Sequence, residues 1–340
     1  MNAKAEIPLP VKPALLQVEN LKKHFPIFGG VFSRQIGSVK AVEGVSFSIA
    51  EGETYGLVGE SGCGKSTVGR TILSLISPTA GRVTFNDTLL YDVEEKKYLP
   101  GRDMRVLRRD MQIIFQDPFA SLDPRMTIGS IVSEGLLAHR LATTREAMLQ
   151  AEELLELCGI SSQNINRYPH EFSGGQRQRI SIARALAFHP KFVICDEPIA
   201  ALDVSIQAQI LTLMQDLKDR LNLTYLFISH DLGVVRYFCD LIAVMYLGSF
   251  VETGSSEQLF KNPVHPYTQA LLSAMPALDS GMTRSRIILK GTVPNPANAP
   301  SGCRFHTRCI HSEQRCREDA PQMQEVEPGH LAACHLLASS

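Results

Sequence analysis

The sequence carries almost no net charge. Its 34 lysines and arginines stand against 35 aspartates and glutamates, which leaves a formal net charge of −1 at pH 7. Proteins that bind nucleic acid usually show an excess of positive charge over a whole domain. The balance therefore argues against a nucleic-acid partner.

Long apolar runs are also missing. No stretch approaches the roughly 20 apolar residues that a membrane-spanning helix needs. Residues 1–13 contain Lys and Pro but lack the apolar segment of a secretory signal peptide. We therefore expect residues 1–14 to be a loose tail and the protein to be cytosolic. Its 8 cysteines would then be reduced or metal-bound rather than paired in disulfides.

The 340 residues are 44% hydrophobic, enough for a large core. Apolar strands alternate with helices, which predicts an α/β protein with a mostly parallel sheet covered on both faces. Residues 118–188 read as helical throughout and predict an inserted subdomain. Glycines between residues 25 and 40 predict a loop. Prolines interrupt the pattern after Gly254, so residues 255–340 are expected to form a small appended domain.

A complete phosphate-binding loop pattern, G-x-x-x-x-G-K-[ST], lies between a short apolar strand and a helix. It consists of Gly59, Glu60, Ser61, Gly62, Cys63, Gly64, Lys65, Ser66 and Thr67. The glycines let successive N–H groups point into one concavity, and the helix beginning near Lys65 adds its positive end. Lys65 would reach the β- and γ-phosphates of a nucleotide, and Ser66 would bind Mg²⁺. A Gly- and Ser-rich turn before a helix is the alternative.

Two carboxylates end a second apolar strand, Phe192 to Cys195. Asp196 is suited to hold Mg²⁺ directly or through water, and Glu197 to polarise an attacking water. The alternative is a pair that caps a strand-to-helix turn. A phosphate loop in the same chain favours the catalytic interpretation.

A second candidate anion site comprises Ser173, Gly174, Gly175 and Gln176. Ser173 is a good helix cap, and the two glycines leave backbone N–H groups accessible at a helix start. One γ-phosphate rarely needs two such sites in one chain, whereas two facing chains would each lend one. A small-molecule kinase, an alternative function, has no use for the second site.

In this order, the motifs resemble those of the ATP-binding subunits of ABC transporters over about residues 15–255. The resemblance implies a P-loop NTPase cassette over 15–254, with a RecA-like core sheet, an antiparallel β subdomain and the helical subdomain at about 118–188. It adds a Cys-rich C-terminal domain over 255–340. It also implies that two cassettes close head to tail, with each ATP held by one phosphate loop and by Ser173–Gln176 of the other chain.

The same resemblance implies roles for further residues. Gln116 is the Q-loop glutamine, which contacts the γ-phosphate and Mg²⁺, Asp203 lies in the D-loop, and His230 is the switch histidine. Phe25 would stack on adenine. Plainer interpretations are a polar surface position for His230 and a core position for Phe25. The implied catalytic residues are Lys65, Gln116, Glu197 and His230, and the implied Mg²⁺ ligands are Ser66, Gln116 and Asp196.

Three longer stretches, 115–124, 168–179 and 265–272, resemble the branch of oligopeptide and dipeptide importers. The segment 25–40 also fits the F-type subunit of dipeptide importers. The branch implies ATP-driven import of di- and oligopeptides at the inner face of the cell membrane. Partners would be a second related ATPase, as a heterodimer or a homodimer, two permeases and an extracytoplasmic binding protein.

The motifs alone leave other substrates and another function open. Nickel complexes, glutathione and sugars are substrates of the same branch, and a soluble ABC-type ATPase acting on ribosomes or DNA is an alternative function. The chain also departs from the branch at Ile199 and Ala200, where a Thr-Ser pair is usual. This departure removes two hydroxyls near the expected dimer seam.

Four of the 8 cysteines lie in the tail, with the spacing C-x5-C-x6-C-x17-C. They are Cys303, Cys309, Cys316 and Cys334. So short a segment buries too little apolar surface to order itself, so a metal or another staple is expected. Four thiolates suit Zn²⁺ or a [4Fe–4S] cluster. Zinc sites favour C-x2-C pairs, which the tail lacks, and the resemblance to peptide-importer ATPases implies [4Fe–4S]. Unliganded thiols are the remaining alternative.

Overall fold

The computed structural model describes residues 13–29, 34–275 and 286–339. Residues 1–12 of the expected tail lie outside these ranges, whereas Ala14 already belongs to the first strand. The strands are β1 (Ala14–Gly29), β2 (Arg34–Ala50), β3 (Thr54–Val58), β4 (Ala80–Phe85), β5 (Thr88–Asp92), β6 (Lys97–Tyr98), β7 (Met111–Ile114), β8 (Phe192–Asp196), β9 (Thr224–Ser229), β10 (Leu241–Tyr246), β11 (Ser249–Ser255), β12 (Gln324–Glu327) and β13 (His330–Ala332). The helices are α1 (Lys65–Ile72), α2 (Gly101–Leu107), α3 (Pro118–Ser121), α4 (Ile128–Ala138), α5 (Thr144–Leu157), α6 (Gly174–Leu186), α7 (Val204–Leu221), α8 (Leu232–Phe238), α9 (Ser256–Lys261), α10 (Pro266–Ser273) and α11 (Arg315–Glu318).

The described residues form two compact units. The first combines the residues up to Leu99 with those from Ser229 onward, and the second comprises Pro100–Ile228. No helix within the described ranges has the length and apolarity needed to cross a membrane.

An antiparallel sheet in the first unit has the strand order β2-β1-β4-β5-β6. Apolar side chains alternate along its strands, and Val18, Val45, Phe47 and Val83 are all buried. The period of two that places these residues on one face follows from the pleat of the strands. This sheet supplies the antiparallel part of the expected cassette.

The expected loop over residues 25–40 is wrong for the part that the structure describes. β1 extends to Gly29 and β2 begins at Arg34, and the ladder pairs Phe25 with Val39 and Ile27 with Gly37. The glycines suggested a break, but Gly37 takes an ordinary paired position. Register shifts along the ladder accommodate the irregular residues.

A second group of strands in the first unit surrounds β10. β3 pairs with β10 in parallel, and β10 pairs with β11, β11 with β13 and β13 with β12 in antiparallel fashion. Every residue of β3 is buried. The strand runs directly into the predicted phosphate loop, which therefore begins at a rigid point.

The second unit is built on the parallel strands β7, β8 and β9. Every residue of β8 and β9 is buried, as expected for strands of a parallel sheet covered on both faces. Between β7 and β8 the chain forms only helices, α3 to α6 with two short 3-10 turns. This is the stretch whose sequence pattern is helical.

Candidate functional site

The predicted phosphate loop connects β3 to α1 in the first unit. Gly59 and Gly64 have φ of +153° and +110°, values that favour glycine. A Cβ would lie 2.2 Å from the Met245 carbonyl oxygen at Gly59 and 2.0 Å from the Ala41 carbonyl oxygen at Gly64. Both positions therefore require glycine to let the loop curl against the neighbouring backbone.

Lys65 lies inside the curve of this loop and is 4% exposed. Its Nζ donates hydrogen bonds to the carbonyl oxygens of Gly59 at 2.8 Å and of Glu60 at 3.1 Å. α1 begins at Lys65 without a side-chain cap at Gly64, so the positive end of the helix adds to the ammonium charge. Ser66 and Thr67 follow in the first turn. The arrangement is suited to bind an anion of the kind the motif predicts.

Cys63 is buried in the loop, as is Lys65. Burial raises the pKa of its thiol above the usual value, although the Lys65 ammonium acts in the opposite direction. The thiol is therefore neutral at pH 7, and its backbone carbonyl accepts the N–H of Gly248 at 2.8 Å. Its role in the loop is packing. Ser61 and Gly62, at the outer bend, are exposed.

Two further predicted residues belong to the first unit. His230 is exposed and directly follows β9, and Asp231 after it caps α8 by accepting the N–H groups of Gly233 and Val234. Phe25 is 36% exposed on β1, with the Lys23 ammonium 4.8 Å from its ring centroid. A core position for Phe25 is thereby ruled out.

Gln116 and Glu197 meet in the second unit. The Gln116 side-chain amide donates to the Glu197 carboxylate, with Nε2 and Oε2 3.0 Å apart. Glu197 has a φ of +50°, an uncommon conformation for a non-glycine residue, and its N–H donates to the Ile228 carbonyl at 3.0 Å. Asp196 before it is 1% exposed at the end of β8. The strand thus fixes both carboxylates and gives them different surroundings.

Ser173 lies in the same unit. It caps α6, as the sequence predicts. Its Oγ accepts the N–H of Gln176 at 3.3 Å, and Gln176 Oε1 accepts the N–H of Ser173 at 3.0 Å. This capping box does not use the N–H groups of Gly174 and Gly175. Both glycines lie at an exposed or half-exposed helix start.

The D-loop lies between β8 and α7. Asp203 is exposed at the N-cap position of α7, and its side chain makes no capping hydrogen bond. Gln207 Nε2 donates to the Ile199 carbonyl at 3.1 Å and to the Leu202 carbonyl at 3.0 Å. Ile199 is buried and Ala200 exposed, so the departure at these positions gives the turn an apolar anchor in place of a hydroxyl.

The four tail cysteines are close enough to influence one another. Burial raises the pKa of Cys303 to about 11, and the nearby thiols of the other three act in the same direction. The Cys303 N–H donates to the Cys316 carbonyl at 2.8 Å. The described residues nevertheless contain no group of three or more His, Cys, Asp or Glu side chains arranged to hold a metal ion. The expected ligand geometry is therefore not present, although the thiols cluster.

Two residues that the sequence did not single out contact the phosphate loop. The hydroxyl of Tyr267 accepts the N–H of Glu60 at 2.9 Å, and Arg308 donates two hydrogen bonds to the Glu60 carboxylate. Tyr267 lies within a stretch that carried the family resemblance, which was the one available signal for it. No sequence motif pointed to Arg308.

Two family models match the chain. The model for ABC transporters covers residues 42–200, and the model for the C-terminal region of oligopeptide and dipeptide transporters covers residues 251–316. The second model includes Tyr267 and Arg308.

Curated relatives match almost end to end. The chain is 51% identical over 324 residues to the oligopeptide transport ATP-binding protein AppF of Bacillus subtilis, covering 95% of this chain and 97% of that protein. It is 52% identical over 320 residues to a putative peptide import ATP-binding protein of Brucella ovis, covering 94% and 97%.

Solved structures give the same picture. Similarity to cbiO1 of Clostridium perfringens, part of the cbiONQ ABC transporter complex, has a TM-score of 0.62 at 26% identity and covers 73% of this chain and 91% of that one. A dimeric ATP-binding cassette bound to ADP and Pi gives a TM-score of 0.61 at 27% identity, covering 71% and 98%.

Proposed function

This chain belongs to the ATP-binding subunits of ABC transporters, in the oligopeptide and dipeptide branch, and we propose that it hydrolyses ATP to drive the import of di- and oligopeptides. The resemblance predicted from the motifs is confirmed by relatives that match over 95% of the chain. That near-complete match carries the substrate class. The alternative of a soluble ATPase acting on ribosomes or DNA is not favoured, because the relatives named above are peptide transport proteins.

ATP binding rests on the phosphate loop, Gly59–Thr67. Lys65 would exchange its contacts with the carbonyls of Gly59 and Glu60 for phosphate oxygens, where its charge is better matched. Phe25 is exposed and able to stack on adenine. Ser66, Gln116 and Asp196 would hold Mg²⁺, which supplies charge neutralisation to the phosphates. Carboxylate, amide and hydroxyl oxygens are the ligands that this ion prefers.

Hydrolysis rests on Glu197. Its carboxylate is half-buried at a strand end and would orient the attacking water and accept its proton. Before nucleotide binds, the hydrogen bond from Gln116 holds that carboxylate in one orientation. His230 would contact the γ-phosphate from the loop after β9. Catalysis of this type is mainly positioning and charge stabilisation.

Turnover requires a second cassette in this proposal. Ser173–Gln176 and Asp203 are exposed or half-exposed and would meet the ATP held by the partner chain, which is a related ATPase or a second copy. The region 15–254 would bind nucleotide, with the helices around 118–188 engaging two membrane permeases. An extracytoplasmic binding protein would deliver the substrate. The subunit would then lie in the cytoplasm against the inner face of the membrane.

The region 255–340 includes the four-cysteine cluster, for which we propose a metal centre, [4Fe–4S] or alternatively Zn²⁺. Burial raises the pKa of Cys303, Cys309 and Cys334, and the backbone N–H two residues after each of them, of Phe305, His311 and Leu336, acts in the opposite direction. Backbone amides placed in this way are able to stabilise thiolates bound to metal. Binding would draw the thiols to ligating distance. The fully buried Phe305 is the one large apolar core residue between residues 286 and 339, which supports the need for a staple.

The substrate class is tested by reconstitution. The chain is assembled in proteoliposomes with the permeases, the partner ATPase and the binding protein of its transporter. Dipeptides, pentapeptides, glutathione, a nickel complex and a sugar are then compared. We expect peptides alone to stimulate both ATP hydrolysis and uptake, and Lys65→Ala to abolish both. Stimulation by one of the other solutes, without any peptide effect, would overturn the substrate assignment but not the ATPase assignment.

A further inference from the structure

Glu60 in the phosphate loop is held at both its backbone and its side chain by residues more than 200 positions away. Its N–H donates to the Tyr267 hydroxyl at 2.9 Å across 207 positions. Arg308, 248 positions away, donates from both terminal nitrogens to its carboxylate, at 2.7 and 3.1 Å. The loop is therefore tied to the C-terminal region at one residue by three hydrogen bonds.

The ion pair between Arg308 and Glu60 differs from an ordinary surface pair. Arg308 is 8% exposed and the Glu60 side chain 27% exposed. The geometry is bidentate, and the guanidinium also lies 5.9 Å from the ring centroid of Tyr246. Two parallel, charge-assisted hydrogen bonds in a partly desolvated place fix both distance and orientation. The pair is thus suited to hold Glu60 in one position.

The Tyr267 hydroxyl is itself fixed by the start of α10. His265 Nδ1 accepts the N–H of Tyr267 at 3.1 Å. The fully buried Glu252 carboxylate accepts the N–H groups of Val264 and His265 at 2.8 and 2.9 Å. The His265-Pro266-Tyr267 triplet therefore places one aromatic side chain accurately beneath the loop.

An aromatic cluster joins the two contacts to one another. Phe305 is 1% exposed, and its ring centroid lies 5.4 Å from that of Tyr267 and 5.2 Å from that of Tyr246. The ring centroids of Tyr246 and Tyr267 lie 4.7 Å apart. Arg308 and Tyr267 are distant in sequence, but both contact Glu60 from the same aromatic cluster.

The conformation of Glu60 matters because its peptide carbonyl helps to shape the phosphate loop. That oxygen accepts a hydrogen bond from Lys65 Nζ at 3.1 Å and from the Cys63 N–H at 3.3 Å. A rotation of the peptide at Glu60 would move the carbonyl and change the direction of neighbouring N–H groups. Affinity for an anion is higher when the N–H groups are already oriented toward the binding position before the ligand binds.

We propose that Arg308 and Tyr267 are positioning residues for ATP, which act through Glu60 to keep the phosphate loop in its binding conformation. The inference rests on the proposed role of Gly59–Thr67 as the phosphate site. It gives a function to the His265-Pro266-Tyr267 triplet and to Arg308, which lies among the tail cysteines. The C-terminal region thereby completes the phosphate site.

The test measures ATP affinity of the full chain by calorimetry, and KM and kcat in the assembled transporter. Arg308→Met should raise the ATP Kd and KM about tenfold, while kcat changes less than about twofold. The reason is that the substitution disorders the loop in the free protein, whereas bound ATP orders it again. Arg308→Lys keeps the charge but not the fork and should fall in between. Tyr267→Phe, which removes only an oxygen, should raise Kd about threefold. Lys97→Met, which breaks an exposed ion pair with Glu95, is the control and should match wild type.

A double-mutant cycle separates positioning from general destabilisation. Glu60→Gln and Arg308→Met should be non-additive, so that the double variant binds ATP no more weakly than the worse single variant. Wild-type Kd and KM in both Arg308→Met and Tyr267→Phe, with unchanged urea midpoints, would overturn the inference. Fully additive effects in the cycle would overturn it as well. Wild-type ATP affinity in Lys65→Ala would instead refute the phosphate site itself.

Discussion

Gln116 and Glu197 are 81 positions apart in the chain, yet the side-chain amide of one donates to the carboxylate of the other at 3.0 Å. Gln116 follows β7, and Glu197 follows β8, which pairs with β7 in parallel. The carboxyl ends of both strands lie at the same edge, which is where ligands bind in such sheets. With the roles proposed above, Gln116 would turn to Mg²⁺ and the γ-phosphate when nucleotide binds and would release the Glu197 carboxylate. The pair would then link nucleotide binding to the orientation of the proposed base.

Replacing Glu197 by glutamine should separate binding from hydrolysis. The Glu197→Gln side chain keeps the shape and an oxygen that accepts from Gln116, but it cannot take a proton from water. We expect steady-state hydrolysis to fall at least about a hundredfold, while ATP binding persists and the ATP-bound dimer accumulates. Gel filtration with ATP and a phosphate-release assay measure the two effects. Undiminished turnover would remove Glu197 from its assigned role.

The proposed role of Ser173–Gln176 at the ATP of the partner chain is best tested at Gly174. A Cβ there would lie 3.5 Å from Leu202, an ordinary contact, whereas at Gly175 it would lie 2.5 Å from Ile206 Cγ2. Any substitution at Gly175 would therefore combine a functional effect with steric strain. Gly174→Ala should leave ATP affinity of the isolated chain within about twofold, and it should strongly reduce turnover in the assembled transporter.

The informative experiment for Gly174→Ala mixes chains. A dimer with one Gly174→Ala chain and one Lys65→Ala chain brings the two lesions to the same ATP if the loop acts in trans. It therefore leaves one intact composite site. If the loop acts in cis, both sites of that dimer are damaged. Loss of ATP binding in the isolated Gly174→Ala chain would contradict the trans role directly.

The sequence predicted the phosphate loop and the cap of α6 because these motifs are local. Gly59 and Gly64 are marked by their spacing from Lys65, although the backbone they approach belongs to the distant Met245 and Ala41, and Ser173 caps its own helix. The spacing of such residues is readable without tertiary structure. The apolar strands β8 and β9 were readable for the same reason.

Long-range pairing was beyond the sequence. Phe25 to Gly29 pair with residues of β2, and this ladder overrides the glycines that suggested a loop. Arg308 meets Glu60 only because Phe305 packs on Tyr267 and Tyr246. A lone arginine beside a cysteine gives no indication of such a contact. Tertiary packing decides both cases.

The metal proposal predicts what purified protein contains. Anaerobically purified wild type should carry iron and sulfide in equal amounts and a brown colour, both lost in Cys309→Ser. Cys239→Ala, which alters a buried cysteine outside the tail, should retain both. Iron, sulfide and zinc analyses distinguish the outcomes. Zinc without iron would overturn the iron assignment, and the absence of any metal would overturn the metal centre.

The stability of the fold in acid should depend on His265. Burial lowers the pKa of His265 to about 4, against the opposing effect of the Glu252 carboxylate. An unfolded histidine titrates near 6.5, so the unfolded chain binds more protons between pH 6.5 and pH 4. The contribution of neutral His265 to stability is therefore complete at pH 7 and is lost on acidification through this window.

His330, hydrogen-bonded to the same Glu252, acts with the opposite sign, because its pKa is raised by that carboxylate and its contribution is lost as the pH rises. A comparison that keeps His330 unchanged isolates His265. His265→Asn retains a side chain able to accept the Tyr267 N–H and should lower the free energy of unfolding at pH 7. Between pH 7 and pH 5 the wild type should lose about 2 kcal/mol more than the variant. Urea unfolding at both pH values measures this difference, and parallel losses in the two proteins would show that His265 is protonated in the folded state.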